Sequence, residues 1–422
     1  MQASMKKFFY FFFVVFFIVS CYKSKVKTTV LDHEHLFSIE YGNFEDEINL
    51  SHIDPMTYSA INLCLNNGIF YISNSVNKKV LKTSFYGDLL ALYYNNETNP
   101  HPSFLPKAET TTNTDESTIG DFHSDMQTNS STHLAGTRTA VEYPFNNCTM
   151  LTVSDIEHLY LVDTVPNDRV QFDNEENIAL MNVILHFDEK GNFVDYIGQE
   201  GLGGTPFPNI VSLSNNSEND IIVVCRTISF VKVFWFSSDG VLLSRIFMDI
   251  SNLPSEYDST TQFYANIDSV FPSYERNEIF LKIDYYVEHY DQETGANIGV
   301  NYDKSSIYRV VLSRGEFEYM QDIFSYKQVD DKDAIVAEKV YMLKKVCKND
   351  WAFLMAQVDN NYSILLLNLQ TGKTKSFFID VSDFSPLYST FFVTNDCMLS
   401  GIFAGEEKAT ISVWHIENSL GR

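Results

Sequence analysis

One pattern returns along this chain and limits what it can fold into. An alternating apolar run, a polar turn holding a glycine and a second alternating run appear at Val80 to Tyr93 around Gly87, Val183 to Ile197 around Gly191 and Val233 to Ile246 around Gly240. Weaker copies lie at Ile307 to Tyr319 around Gly315 and Ile364 to Phe378 around Gly372. Each reads as a β-hairpin, the glycine supplying the positive φ of the turn. Gly191 to Gly240 is 240 − 191 = 49 residues and Gly315 to Gly372 is 372 − 315 = 57. The two longer intervals each hold an insertion: a polar loop around Asp291 to Lys304, and a long polar tract after blade one. With those set aside the period is about 50 residues, the length of a four-stranded propeller blade.

Two further strands precede each hairpin. They are Ala60 to Cys64 with Ile69 to Ser73, Met150 to Val153 with Leu159 to Val162, and Ile210 to Leu213 with Ile221 to Val224. The fourth and fifth units have Ile267 to Phe271 with Ile279 to Ile283, and Val340 to Leu343 with Trp351 to Leu354. A sixth unit shows only three strands: Phe391 to Val393, Leu399 to Phe403 and Thr410 to Ile416. The expected fold is therefore an all-β propeller of six blades, each with four antiparallel strands, seven blades being the fallback. Leu36 to Tyr41 supplies the missing strand and closes the ring, which leaves only short edges exposed. The propeller is expected over residues 36–417. A polar insertion at 95–139, rich in Thr, Ser, Asn, Asp and His, is expected to be disordered, because such composition buries too little apolar area to offset chain entropy.

The N-terminus points to export. Met5, Lys6 and Lys7 form a basic start, Phe8 to Val19 an apolar run, and Ile18, Val19, Ser20 and Cys21 its end. This is the order of a secretory signal. The run is roughly 12 residues, short of the about 20 needed to cross a bilayer. Its end resembles a bacterial lipobox, in which the cysteine is acylated and becomes the new N-terminus. The expectation is a signal peptide over 1–20, lipidation at Cys21 and a tether over 21–35. A formal charge of −25 argues against nucleic acid and against anionic headgroups as partners. Attachment to the membrane then rests on the acyl chains of Cys21.

The remaining cysteines, Cys64, Cys148, Cys225, Cys347 and Cys397, are far apart and odd in number. They read as buried free thiols rather than a disulfide framework. Gly198 to Pro208 lacks the lysine and helix of a phosphate loop and reads as a tight crossing between blades. Asp32, His33, Glu34 and His35 have ligand chemistry but sit in the expected tether. Glu45, Asp46, Glu47 and Asp54, and separately Asp163, Asp168, Asp173, Glu175 and Glu176, read as solvated loop charge, Ca²⁺ being the alternative. His158, His186, His289 and His415 are single histidines on or beside strands. No catalytic set, metal site or cofactor is assigned.

The strand–turn–strand units resemble six-bladed propellers of the NHL-repeat type. Phe70 to Val80 carries the likeness most clearly: apolar strand, polar turn, basic residue, next strand, with Asn74 where that pattern usually has Asp. With the lipobox, the Phe and Tyr content and Gly198 to Pro208, the chain is similar to propeller lipoproteins of spirochaetes. The resemblance implies no catalytic residues. The lipid anchor, the missing catalytic constellation and the long polar loop point to a lipid-anchored binding or scaffold module at the cell envelope, periplasmic or on the outer surface, that binds another envelope protein. The alternative is a Ca²⁺-dependent lactonase-like or esterase-like hydrolase on the same fold, with carboxylates converging at one mouth of the channel.

Overall fold

A computed structural model describes residues 29–50, 61–106, 132–135, 138–258, 260–291, 293–329, 335–384 and 386–420. Cys21, the apolar run before it, Asp54 and most of the polar tract after residue 106 lie outside the described residues. The described chain is all-β, broken only by short 3₁₀ turns.

Six antiparallel sheets follow one another in chain order. Blade 1 runs Ile61–Asn66, Ile69–Asn74, Lys79–Ser84, Leu89–Tyr94, and blade 2 runs Leu151–Val153, Leu159–Thr164, Asn182–Phe187, Phe193–Gly198. Blade 3 is Ile210–Asn215, Ile221–Arg226, Phe230–Phe236, Leu242–Asp249, and blade 4 is Phe263–Pro272, Glu278–Tyr290, Asn297–Val311, Phe317–Ile323. Blade 5 is Met342–Cys347, Trp351–Val358, Asn361–Asn368, Thr374–Ile379. Blade 6 takes Tyr388–Val393, Leu399–Ala404 and Lys408–Trp414 from the C-terminal part and Glu34–Glu40 from the N-terminal part. The β-branched and aromatic content of these segments suits half-buried pleated surfaces.

Packing makes the ring. Each buried apolar cluster fills one joint between neighbouring blades. Leu161 and Leu185 of blade 2 meet Tyr71 and Val80 of blade 1, and Ile222 and Trp235 of blade 3 meet Ile279 and Leu281 of blade 4. The other joints are built the same way, and Phe70 and Ile72 of blade 1 pack against Ile402 and Ile411 of blade 6, so first blade and last share a core. The first strands of the blades neighbour one another around the axis.

Closure comes from the N-terminal strand. Glu34–Glu40 pairs antiparallel with Lys408–Trp414, with Phe37 opposite Ile411 and Ile39 opposite Ala409. Without it, the edge carrying fully buried Ile411 and Val413 would face water. Ordered chain also begins inside the stretch expected to be a tether: Thr29–Leu31 adds in parallel to the outer strand of blade 5, and Glu34 and His35 belong to the closing strand. Asn95, Asn99 and Leu105 of the expected insertion are buried against blade 1. Asn95 and Asn99 hydrogen-bond to backbone there, and Arg138–Glu142 extends the blade in parallel.

The cysteine reading needs correction. Cys64, Cys148 and Cys225 are buried free thiols as expected, but Cys347 and Cys397 form a disulfide, with Cα atoms 5.6 Å apart. They lie 50 residues apart, one blade period, and the ring brings the end of blade 5's first strand onto a turn of blade 6. The crossing at Gly198 to Pro208 is tight, as expected. A Cβ on Gly198 would lie 2.3 Å from the Gly204 carbonyl oxygen, and Gly201, at φ +119°, bridges to Val241 of blade 3.

Candidate functional site

Two places gather chemistry: the overhang of blade 4 and the axial channel. The middle strands of blade 4 are 13 and 15 residues long, whereas those of blade 1 are 6 each. The excess is on the order of 20 Å of strand. The segment expected to be a polar loop, Asp291 to Lys304, is therefore mostly hairpin, turning between Tyr290 and Asn297. The overhang's pairing is Tyr264 opposite Tyr286, Tyr286 opposite Tyr302 and Glu288 opposite Val300. These side chains share one face. The Tyr264 and Tyr290 hydroxyls both donate to Glu288, and Asn297 Nδ2 donates at 3.0 Å. Those donors hold the Glu288 carboxyl below its ordinary pKa, the Tyr264 hydroxyl foremost. Tyr264 is 55% exposed, Tyr290 47% and Val300 46%. The result is a water-facing aromatic surface braced by a central carboxylate.

The channel is lined by first strands. A cavity of about 300 Å³ holds Cys64, Asn66, Asp155, Lys345, Lys348, Asp396 and Glu417 on its wall. A second, of about 150 Å³, is lined by Asn62, Leu151, Ser214, Phe271, Lys344, Lys345 and Phe392 among others. Lys345, Thr152 and Phe392 border both.

The two adjacent lysines reach the channel because of a bulge. Leu343 pairs with Leu354 and Lys345 with Phe353, leaving Lys344 as the extra residue. Such an insertion re-aims side chains that strict alternation would send to opposite faces. Blade 4 has a matching bulge at Asp268, between Ile267 and Ser269. Asp268 Oδ2 accepts the Leu343 N–H at 3.2 Å, joining the two irregular strands.

The charges here differ in how they are met. Lys282, fully buried, contacts Asp284 and stands 3.4 Å from Asp268. Lys348 pairs with Asp396 at 2.9 Å, and the Tyr274 hydroxyl donates to Asp155 at 2.7 Å. Lys344 and Lys345 have no ion pair or hydrogen bond to a described residue; Lys345 lies 6.0 Å from the centre of the Phe392 ring. Desolvation pushes Lys345 down to about 8, against the opposing pull of Cys64 and Asp155. Lys344 is exposed, though protein packed around its stem still lowers it by desolvation, against the opposing pull of Asp268.

The residues singled out from sequence fall elsewhere. His33 packs on the rings of Phe384 and Trp414 at 4.8 and 5.9 Å, and Glu34 Oε2 meets His415 Nε2 at 3.0 Å. Asp32 to His35 thus belongs to the ring closure. Glu45 and Glu47 take bonds from Ser103 and the Phe44 N–H, in a loop whose Phe44 carbonyl accepts from buried Lys79 Nζ at 2.6 Å. Asp163 is buried and accepts backbone N–H groups of Asn146, Asn147 and Thr164, apart from Asp173, which caps the turn holding Glu175 and Glu176. His158 and His186 are not single: His186 Nε2 lies 2.9 Å from His158 Nδ1. Among the described residues, no three His, Cys, Asp or Glu side chains converge to hold a metal ion.

No protein-family model matches the chain, and no curated protein matches it. Some solved structures are similar to it at low identity. The Dos1 propeller is 10% identical over 84% of this chain and 78% of its own, with a TM-score of 0.34. A protein described as exported, from Bacteroides fragilis, is 9% identical over 93% and 96%, with a TM-score of 0.36. An oligogalacturonate lyase in complex with manganese is 7% identical over 86% and 78%, with a TM-score of 0.37. Six blade sheets among the described residues, one core at each joint and the shared closing strand establish the six-bladed β-propeller.

Proposed function

We propose that this propeller is an exported lipoprotein, acylated at Cys21, that binds another protein at the cell envelope through the overhang of blade 4. Its blades are of the NHL type, and the chain is of the spirochaetal propeller-lipoprotein kind. The observation that carries the binding reading is the tyrosine face of Tyr264, Tyr286, Tyr290 and Tyr302 around Glu288. Tyrosine brings large apolar area with few rotatable bonds and a polar tip, and it is enriched in protein interfaces. An exposed face of this kind on a projecting sheet is a docking surface rather than part of the core. Among the described residues no helix is long and apolar enough to cross a membrane. The anchor is assigned to lipid on Cys21 because the apolar run Phe8 to Val19 before it is roughly 12 residues, short of the about 20 that a spanning helix needs.

The test compares full-length protein purified from envelope in mild detergent with two variants. Wild type should bring down one envelope protein reproducibly. The Tyr264→Ala/Tyr290→Ala double variant should lose it while keeping the thermal midpoint, and Cys21→Ala should lose membrane fractionation. Equal recovery by the double variant, or no partner under several detergents, counts against the binding reading. An unacylated mature N-terminus by mass spectrometry counts against the anchor alone.

A further inference from the structure

We propose that the axial channel is a binding site for a small oxyanion, a carboxylate or a phosphate, held between Lys344, Lys345 and the hydroxyl of Ser214. Three independent features meet in the 150 Å³ cavity. Among the described residues, Lys344 and Lys345 are the only charged ones on its wall. Neither is matched by a carboxylate in the way that Lys282 is matched by Asp268 and Asp284. Ser214, only 4% exposed, lines the same cavity, and its Oγ is a buried donor without a partner among the described residues.

Each feature runs against folding stability taken alone. Two adjacent ammonium groups repel each other, and Lys345, only partly exposed, also loses hydration, while Lys344 stays open to water. A buried hydroxyl left unbonded costs further. Within a chain of formal charge −25, replacing either lysine by an apolar residue relieves that strain unless an anion resides there. Protein groups kept at a cost to stability are a mark of binding sites.

The wall also sets the size of the guest. Leu63, Leu151, Leu213, Phe271 and Phe391 surround the charged centre. One carboxylate or phosphate fits the 150 Å³ space, and a larger body attached to it extends past Thr152 and Phe392 into the 300 Å³ cavity. The wall of that cavity also carries Asp155, Asp396 and Glu417, with one Glu417 oxygen buried and without a partner among the described residues. A second negative charge is unwelcome there, and a neutral or hydroxylated tail suits it.

The groups that bear on pH are Lys344, Lys345 and Lys348 of blade 5, Cys64 of blade 1, Asp155 of blade 2, Asp268 of blade 4, and Asp396 and Glu417 beside blade 6. Burial keeps the Cys64 thiol neutral by pushing it up to about 12. Lys345, lowered to about 8, loses charge between pH 7 and 9, and Lys344 is lowered as well, so binding of propionate, whose own charge is constant over that range, weakens as pH rises.

The experiment is calorimetric titration of the full mature protein in detergent at pH 7 and pH 9. The probes are propionate, inorganic phosphate and uncharged propionamide. Saturable binding of propionate or of phosphate at pH 7, with propionamide inert, supports the site, and the anion that binds identifies the class. Lys344→Met and Lys345→Met should each weaken binding by about tenfold or more, Ser214→Ala by roughly threefold, and Lys348→Met by less than twofold. The lysine variants should also melt at or above the wild-type temperature, which shows that they fold. Absence of binding by both anions, equal binding of propionamide, or unchanged affinity in both lysine variants overturns the proposal.

Discussion

Cys347 and Cys397 bond across the joint between blades 5 and 6, 50 residues apart, about one repeat. Both are buried within the apolar cluster of that joint, beside Phe353, Leu399 and Trp414. Covalent linkage restricts the unfolded chain and ties blade 5 to blade 6, the blade that takes the N-terminal closing strand. Loss of the bond through Cys347→Ser/Cys397→Ser is expected to lower stability by about 2–4 kcal/mol. Urea midpoints for wild type, with and without reductant, and for the double variant measure this. A midpoint indifferent to both treatments would show that the bond contributes nothing.

The closing strand should be required for a monomeric ring. Ile39 is 5% exposed and packs in the core shared by blades 1 and 6. Ile39→Ala should cost about 2–4 kcal/mol. Removing residues up to 41 leaves the Lys408–Trp414 edge unpaired, a template for association. Size-exclusion chromatography should show oligomers for the truncated chain and a monomer for the full one; a monomer of unchanged midpoint after truncation would mean that the ring does not depend on this strand.

Acid should weaken the fold at one identifiable place. His186 is buried, stacks on Tyr160 at 4.6 Å and meets His158, whose Nε2 lies 3.4 Å from Glu189. Burial, and then His158, lower its pKa to about 4 from an ordinary 6.5. Above pH 6.5 the ring is neutral folded or unfolded and carries no cost. As pH falls from 6.5 to about 4, the unfolded chain binds a proton that the folded one refuses, so stability drops by up to about 3 kcal/mol. Comparing unfolding midpoints at pH 7.5 and 4.5 in wild type and His186→Phe isolates the effect. The variant should lose less over that interval; an equal loss would place the acid sensitivity elsewhere.

Much of the ring was legible because its evidence is periodic. Alternation around Gly191 and Gly240 located hairpins to within a residue or two, and the three-strand sixth unit pointed to Leu36 to Tyr41 as its partner. The channel was not legible for a local reason. Val340 to Leu343 reads as the fifth unit's first strand because the apolar residues stop there, whereas the strand runs Met342–Cys347 and includes the bulged Lys344. A bulge interrupts the alternation that sequence reading relies on. The overhang of blade 4 was hidden by polarity, since strands outside the core need no apolar face and Asp291 to Lys304 looks like a loop. The pairing of Cys347 with Cys397 depends on which turn faces which strand across a joint, and spacing alone does not carry that.

The tyrosine face of blade 4 is proposed to meet a partner at the envelope. The direct measurement is photocrosslinking in intact cells, with a benzophenone side chain placed at Tyr290, at Tyr264, or at Tyr86, which is 78% exposed on blade 1. The prediction is one and the same protein adduct from positions 290 and 264, none from position 86, and loss of the adduct when Cys21→Ala prevents acylation. No adduct at 290 and 264, or the same adduct from position 86, would contradict it.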